Sequence, residues 1–153
     1  MEGDTMKNTS IENIRSFNRF YTKHLGLFNK EILNTSCTLT ESRILYEINE
    51  RKNGIANEIA NDLNIDRSYM SRILTKFIKS GWLIKTASSS DSRRQILTLT
   101  VKGQEILDEV NKQSDNQIQE LLSDLSKEDI ALIEKSMLII QDKMGRNLKL
   151  RDQ

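Results

Sequence analysis

Two short stretches of helical periodicity, residues 55–63 and 66–79, are separated by only Asn64 and Ile65. Helices joined so tightly cannot continue in one line. They must cross, and a crossing needs a small residue at the contact with apolar residues beneath it. Ala60 meets the first need, and Ile59, Leu63, Met70, Ile73, Leu74 and Phe77 meet the second. Asp66 is placed to cap the second helix and Gly81 to end it in a left-handed conformation. The pair reads as a helix-turn-helix. Residues 82–85 and 95–99 then carry β-branched and aromatic side chains on either side of a Ser-rich stretch, 88–92, which predicts a hairpin with a polar tip.

Helical spacing also governs both flanks. Ile14, Phe17, Tyr21, Leu25, Phe28 and Ile32 form one apolar face of a helix over residues 11–33. Thr40 is expected to cap the next helix, with Glu41 in its first turn, Ile44, Leu45 and Ile48 buried, and Gly54 as its stop. From residue 101 to about 125, Ile106, Val110, Ile118, Leu121 and Leu125 continue at helical spacing, interrupted by Ser114 and Gln117. Ser126 with Asp129 resembles a cap, and Ile130, Ile133, Met137, Ile140 and Met144 follow a three-four alternation that seeks a partner helix. The last seven residues show no strong periodicity and are expected to fray. A chain of 153 residues with no proline and six glycines fits this mainly helical reading.

Charge is unevenly distributed. Residues 51–102 hold ten Lys/Arg against four Asp/Glu, a net of +6, whereas the remainder is net −5. A basic middle between acidic ends is the footprint of a polyanion-binding face. Other classes find little support. There is no phosphate-binding glycine loop, no nucleophile elbow and no cofactor motif, so an enzyme is not expected. One cysteine, Cys37, and one histidine, His24, cannot supply a four-ligand Cys/His metal site. Neither a secretory signal nor a run of roughly 20 apolar residues is present, which predicts a cytoplasmic protein with no membrane partner.

The stretch Asn57-Glu58-Ile59-Ala60-Asn61-Asp62-Leu63-Asn64-Ile65-Asp66-Arg67-Ser68-Tyr69-Met70-Ser71-Arg72-Ile73-Leu74, followed by Lys79-Ser80-Gly81-Trp82-Leu83-Ile84-Lys85, resembles the DNA-binding core of the MarR (multiple antibiotic resistance regulator) family. Asp91-Ser92-Arg93 looks like that family's Asp-x-Arg wing motif. Leu99-Thr100-Val101-Lys102-Gly103 matches its Leu-Thr-x-x-Gly run. Lys85 departs from the arginine that many members carry; it keeps the charge and gives up the bidentate fork. The resemblance covers roughly residues 11–144. It implies a fold that is mainly α with a small β-hairpin wing: a winged helix-turn-helix domain (37–103), helical dimerisation regions (11–36 and 104–146), a flexible N-terminus (1–10) and a frayed C-terminus (147–153).

On that reading Arg67, Ser68 and Ser71, at the start of the second helix, reach base edges, while Arg72 and Lys76 hold phosphates. Tyr69 either touches a thymine methyl or sugar, or covers the interior. In the wing, Arg93 enters or borders the minor groove. Arg94, Lys85 and the serines including Ser89 approach phosphates, and Asp91 braces the tip through Arg93 or the loop amides. The resemblance implies a homodimer, and Ile11, Ile14 and Phe17 with Ile133, Met137, Ile140 and Met144 leave more apolar stripe than a small winged domain needs. A two-fold dimer would address a pseudo-palindromic operator on double-stranded DNA, with half-sites about 34–36 Å apart. The family default is a repressor released by a small aromatic effector or by cysteine oxidation. Cys37 is read as a structural thiol and His24 as a helix-packing residue. The rival functions are a protein-interaction winged helix and an architectural DNA-binding protein without an effector.

Overall fold

The computed structural model describes residues 8–24, 37–52, 54–91 and 93–149, with side chains to residue 145. Leu25, Phe28, Ile32, Asn53, Ser92 and the two chain ends lie outside the described residues. The elements run α1 (Asn8–His24), α2 (Leu39–Glu50), β1 (Gly54–Ile55), α3 (Ala56–Asp62), α4 (Arg67–Lys79), β2 (Leu83–Ala87), β3 (Gln95–Leu99), α5 (Val101–Leu122) and α6 (Lys127–Lys149). The chain divides into two compact units, Met1–Asn111 and Lys112–Gln153.

In the first unit α2 starts two residues earlier than expected. Thr38, not Thr40, is its cap: the Thr38 hydroxyl accepts the Glu41 amide at 3.2 Å, and the Glu41 carboxylate accepts the Thr38 amide at 2.9 Å. The reciprocal pair satisfies two otherwise orphaned donors, and it needs a hydroxyl residue three positions before a glutamate or glutamine, which Thr38 and Glu41 supply. Gly54 is likewise not a helix stop. α2 ends at Glu50, and Gly54 sits in β1 opposite Leu97.

The helix-turn-helix forms as its sequence dictates. Asp66 caps α4, its Oδ1 accepting the Ser68 and Tyr69 amides at 2.9 and 3.1 Å. Asn64 takes a left-handed φ of 52° in the turn, a conformation asparagine tolerates better than most residues. Gly81, at φ 73°, ends α4; its amide bonds to Ile78 and the Trp82 amide reaches back to Phe77, the doubled closure of a Schellman motif.

The expected hairpin is the larger part of a three-stranded antiparallel sheet in the order β1-β3-β2. Two-residue β1 adds to the free edge of β3 and ties the start of α3 to the sheet. β2 and β3 pair from Leu83 opposite Leu99 to Ala87 opposite Gln95.

Thr100 fastens this sheet to α5. Its hydroxyl donates to the Gly81 carbonyl at 2.6 Å and accepts the Gly103 amide at 3.0 Å. Gly103 has no room for a side chain: a Cβ there would stand 2.0 Å from the Trp82 carbonyl oxygen. The core gathers Ile44, Leu45 and Ile48 of α2, Ile59 and Ala60 of α3, Met70, Ile73, Leu74 and Phe77 of α4, then Trp82, Leu83, Leu97, Leu107 and Val110. Leu63 packs against it, half-buried. The expected core positions of the helix-turn-helix are therefore all inward.

α1 has no buried residue; Phe17 stacks on Tyr21 at 5.7 Å and Phe20 lies 5.1 Å from His24. In the second unit Ser126 caps α6, its hydroxyl accepting the Asp129 amide at 3.1 Å. α6 continues to Lys149, three residues into the segment where the periodicity fades. No described residue from Lys112 onward is buried.

Candidate nucleic-acid interface

α4 separates its residues by helical spacing. Met70, Ile73, Leu74 and Phe77 point into the core, and Arg67, Ser68, Ser71, Arg72 and Thr75 are exposed. Because Asp66 satisfies the first amides of α4, the base-reading candidates Arg67, Ser68 and Ser71 stand on a fixed first turn. Arg72 lies 5.4 Å over the Tyr69 ring. That contact holds both side chains on the outer face, and Tyr69 is exposed, not folded over the interior.

Lys76 behaves differently from its neighbours. Its ammonium donates to both carboxylate oxygens of Glu41, at 2.8 and 3.0 Å, and lies 5.9 Å over the Trp82 ring. Glu41 is almost fully buried, so the pair links the first turn of α2 to α4. A buried carboxylate needs such a partner. The structure thus gives Lys76 a supporting contact inside the lobe.

At the wing tip Asp91 accepts the Arg93 amide at 3.0 Å through its side chain and the Arg94 amide at 2.9 Å through its carbonyl. The Ser88 amide returns a bond to the Arg94 carbonyl at 2.9 Å. This leaves the Arg93 side chain exposed at the turn. Arg94 pairs with Glu58 of α3 at 2.8 Å, which braces the wing against the helix-turn-helix. Lys85 and Ser89 are exposed, Lys85 on β2 opposite Leu97.

Two further features escaped the sequence reading. Arg51 bridges Glu47 at 2.8 Å and Asp62 at 2.6 Å, joining α2 to α3, and the Asp62 hydrogen bond raises its pKa above the usual value. A cleft of about 310 Å³ is lined by Arg43 and Thr40 of α2 together with Asn64, Asp66 and Tyr69. The Arg51–Glu47 spacing is a local i,i+4 pattern, but the Arg51–Asp62 bridge and the cleft join distant segments and are not visible locally; the spacing of Thr38 and Glu41 marks the α2 cap.

The other candidates are not brought into this lobe's core. Ile11, Ile14 and Phe17 are exposed on α1, as are Ile140 and Met144 on α6, with Ile133 and Met137 half-buried. Cys37 is buried, and burial first, then the Glu41 charge, pushes its thiol up to about 11 against the partial counter-effect of Lys76. It is a protonated thiol at neutral pH. No group of three His, Cys, Asp or Glu among the described residues could hold a metal ion, and no described helix is long and apolar enough to cross a membrane.

A capped recognition helix on a three-helix lobe, followed by a braced β-hairpin, defines the winged helix-turn-helix class. The family model that matches residues 37–95 is that of the MarR family. The chain therefore carries a MarR family domain. It is 25% identical over 101 residues to the HTH-type transcriptional regulator BilQ of Clostridioides difficile, an alignment spanning 64% of this chain and 66% of that protein. The fold matches a MarR family protein from Bacillus stearothermophilus with a TM-score of 0.80 at 18% identity, over 92% of this chain and 99% of the other. It matches the transcriptional repressor CouR, bound to a 23-mer DNA duplex, with a TM-score of 0.68 at 24% identity, over 89% and 96% of the two chains.

Proposed function

We propose that this protein is a transcriptional regulator that binds double-stranded DNA as a homodimer at a pseudo-palindromic operator, acting as a repressor released by a small aromatic ligand. The observation that carries the reading is the outer face of α4, where Arg67, Ser68, Ser71 and Arg72 are exposed on a capped and well-packed helix. Such a helix seats in the major groove and reads bases with its first turn. Arg67 is suited to guanine, and serine accepts more than one base. Exposed Arg93 follows at the wing, where a narrow minor groove attracts a cation. Arg72 and Lys85 serve phosphates, Ser89 offers a hydroxyl to the same backbone, and Asp91 and Arg94 act by bracing the wing.

Pairing of two copies is supported by the apolar stripes of α1 and α6, which no described contact buries. The repressor reading draws on CouR, and the ligand reading on the family resemblance. A ligand that altered the separation of the two recognition helices would release a two-half-site operator.

Selection from random duplexes at near-physiological salt tests the proposal. A recovered pseudo-palindrome with half-site centres about one helical turn, 34–36 Å, apart is the expected result. Salt-sensitive binding without sequence enrichment would make the protein architectural. No binding would overturn the DNA reading in favour of a protein-interaction module.

A further inference from the structure

A cleft opens between α2 and the α3–α4 turn. Its walls come from segments more than twenty residues apart, Thr40 and Arg43 on one side and Asn64, Asp66 and Tyr69 on the other, over a floor of Leu63 and Ile65. Arg43 is exposed and forms no ion pair or hydrogen bond with a described residue. Exposed Arg67, Arg93 and Lys85, the cations proposed to face DNA, likewise form no ion pair with a described residue, whereas the lobe's other arginines and lysines include several that are held. Arg51 is held by Glu47 and Asp62, Arg94 by Glu58, and Lys76 by Glu41. Glu47, one turn beyond Arg43 on the same helix, is thus already committed to Arg51.

We propose that this cleft is a second backbone-phosphate site, in which Arg43 and Thr40 of α2 hold the DNA strand that flanks the base-reading end of α4. The inference rests on the DNA-binding reading and extends it. A helix in a major groove about 12 Å wide has a phosphate backbone on each flank, and the wing cations serve only one part of that surface. Tyr69 belongs both to the cleft and to the first turn of α4, so a strand beside Arg67 and Ser68 meets the cleft next.

The donors suit a phosphodiester. A guanidinium pairs with phosphate oxygens in a fork, and the Thr40 hydroxyl and Asn64 amide add neutral hydrogen bonds. Asp66 is the one carboxylate present, and its Oδ1 is occupied by the Ser68 and Tyr69 amides at the positive end of α4, which offsets its charge. At about 310 Å³ the cleft lies at the lower limit for an enclosing ligand pocket and suits a passing strand better.

The test is a salt titration of duplex binding, from about 50 to 200 mM, by fluorescence anisotropy. Wild type, Arg43→Ala, Arg43→Lys and, as a control on α6, Lys135→Ala are compared on the selected operator and on a scrambled duplex. Arg43→Ala is expected to weaken both duplexes by roughly tenfold and to lower the magnitude of the log–log salt slope by about 2 for a two-chain complex. Arg43→Lys should restore the slope, since it restores the charge, and Lys135→Ala should match wild type. A wild-type slope for Arg43→Ala, with its circular dichroism unchanged, overturns the phosphate site alone. A loss confined to the selected operator overturns it too, by making Arg43 a base reader. Wild-type protein that binds neither duplex overturns the DNA reading together with this site.

Discussion

The winged lobe and α6 are built from the same apolar spacing, yet they use it in opposite ways. In the lobe nearly every apolar residue at a core position is buried, down to Phe77 at 0% exposure. On α6 Ile140 and Met144 remain 40% and 60% exposed, and no described residue there is buried. Helical periodicity dictates only that a face will be covered; what covers it is decided by the rest of the chain or by a second molecule. The lobe completes itself because α2, α3, α4, the start of α5 and the sheet converge on one core. α1 and α6 present stripes that call for another surface.

That contrast can be broken from either side. Gly103→Ala should have the largest effect, because its Cβ would stand 2.0 Å from the Trp82 carbonyl, a backbone atom that cannot swing away. Loss of the cooperative thermal transition by circular dichroism is expected, and an unchanged melting temperature would show that the junction of α5 with the sheet is looser than described. Ile140→Asp should act on the other side only. It is expected to shift the protein from dimer to monomer in light scattering while the lobe keeps its helical signal, since burying an unpaired carboxylate at an interface costs several kcal/mol, about 2–5.

Arg93→Ala should leave fold and dimer intact and weaken operator binding by about tenfold, near 1.4 kcal/mol, the scale of one lost groove contact. Equal affinities in a binding titration would remove the wing from the interface. The last effect is confined to alkaline pH and concerns Cys37. With its thiol pushed up to about 11 from an ordinary 9.0, the unfolded chain ionises first as pH rises. Below pH 9 both states keep the proton and the thiol contributes no pH dependence; between about 9 and 11 stability falls. Urea melts across that window, compared with Cys37→Ala, should differ in slope against pH. Alkylation at pH 8 should be slow in the native protein and fast in urea.

The parts legible in the sequence are those set by single residues with local rules. Asp66 and Gly81 are such residues, because a cap and a left-handed closure each need one side-chain type at one place. Thr40 reads as the α2 cap because it directly precedes the apolar run; the true cap, Thr38, is marked only by its three-residue spacing to Glu41. β1 is two residues long and has no period to detect, and Gly54 read as a helix stop for the same reason. The Lys76–Glu41 pair spans 35 positions, and the Arg43 cleft unites residues 40–43 with 63–69. Contacts of that range depend on how helices pack, so no local pattern shows that exposed Lys76 also ties α4 to Glu41.

The most direct test of the division between a self-contained reading lobe and partner-seeking helices is the mass of the protein–DNA complex. Light scattering of the protein with a duplex carrying one selected site should give two chains per duplex, and two chains in the protein alone. One chain per duplex, with full affinity, would contradict the account, for the exposed stripes of α1 and α6 would then have no partner copy to cover them.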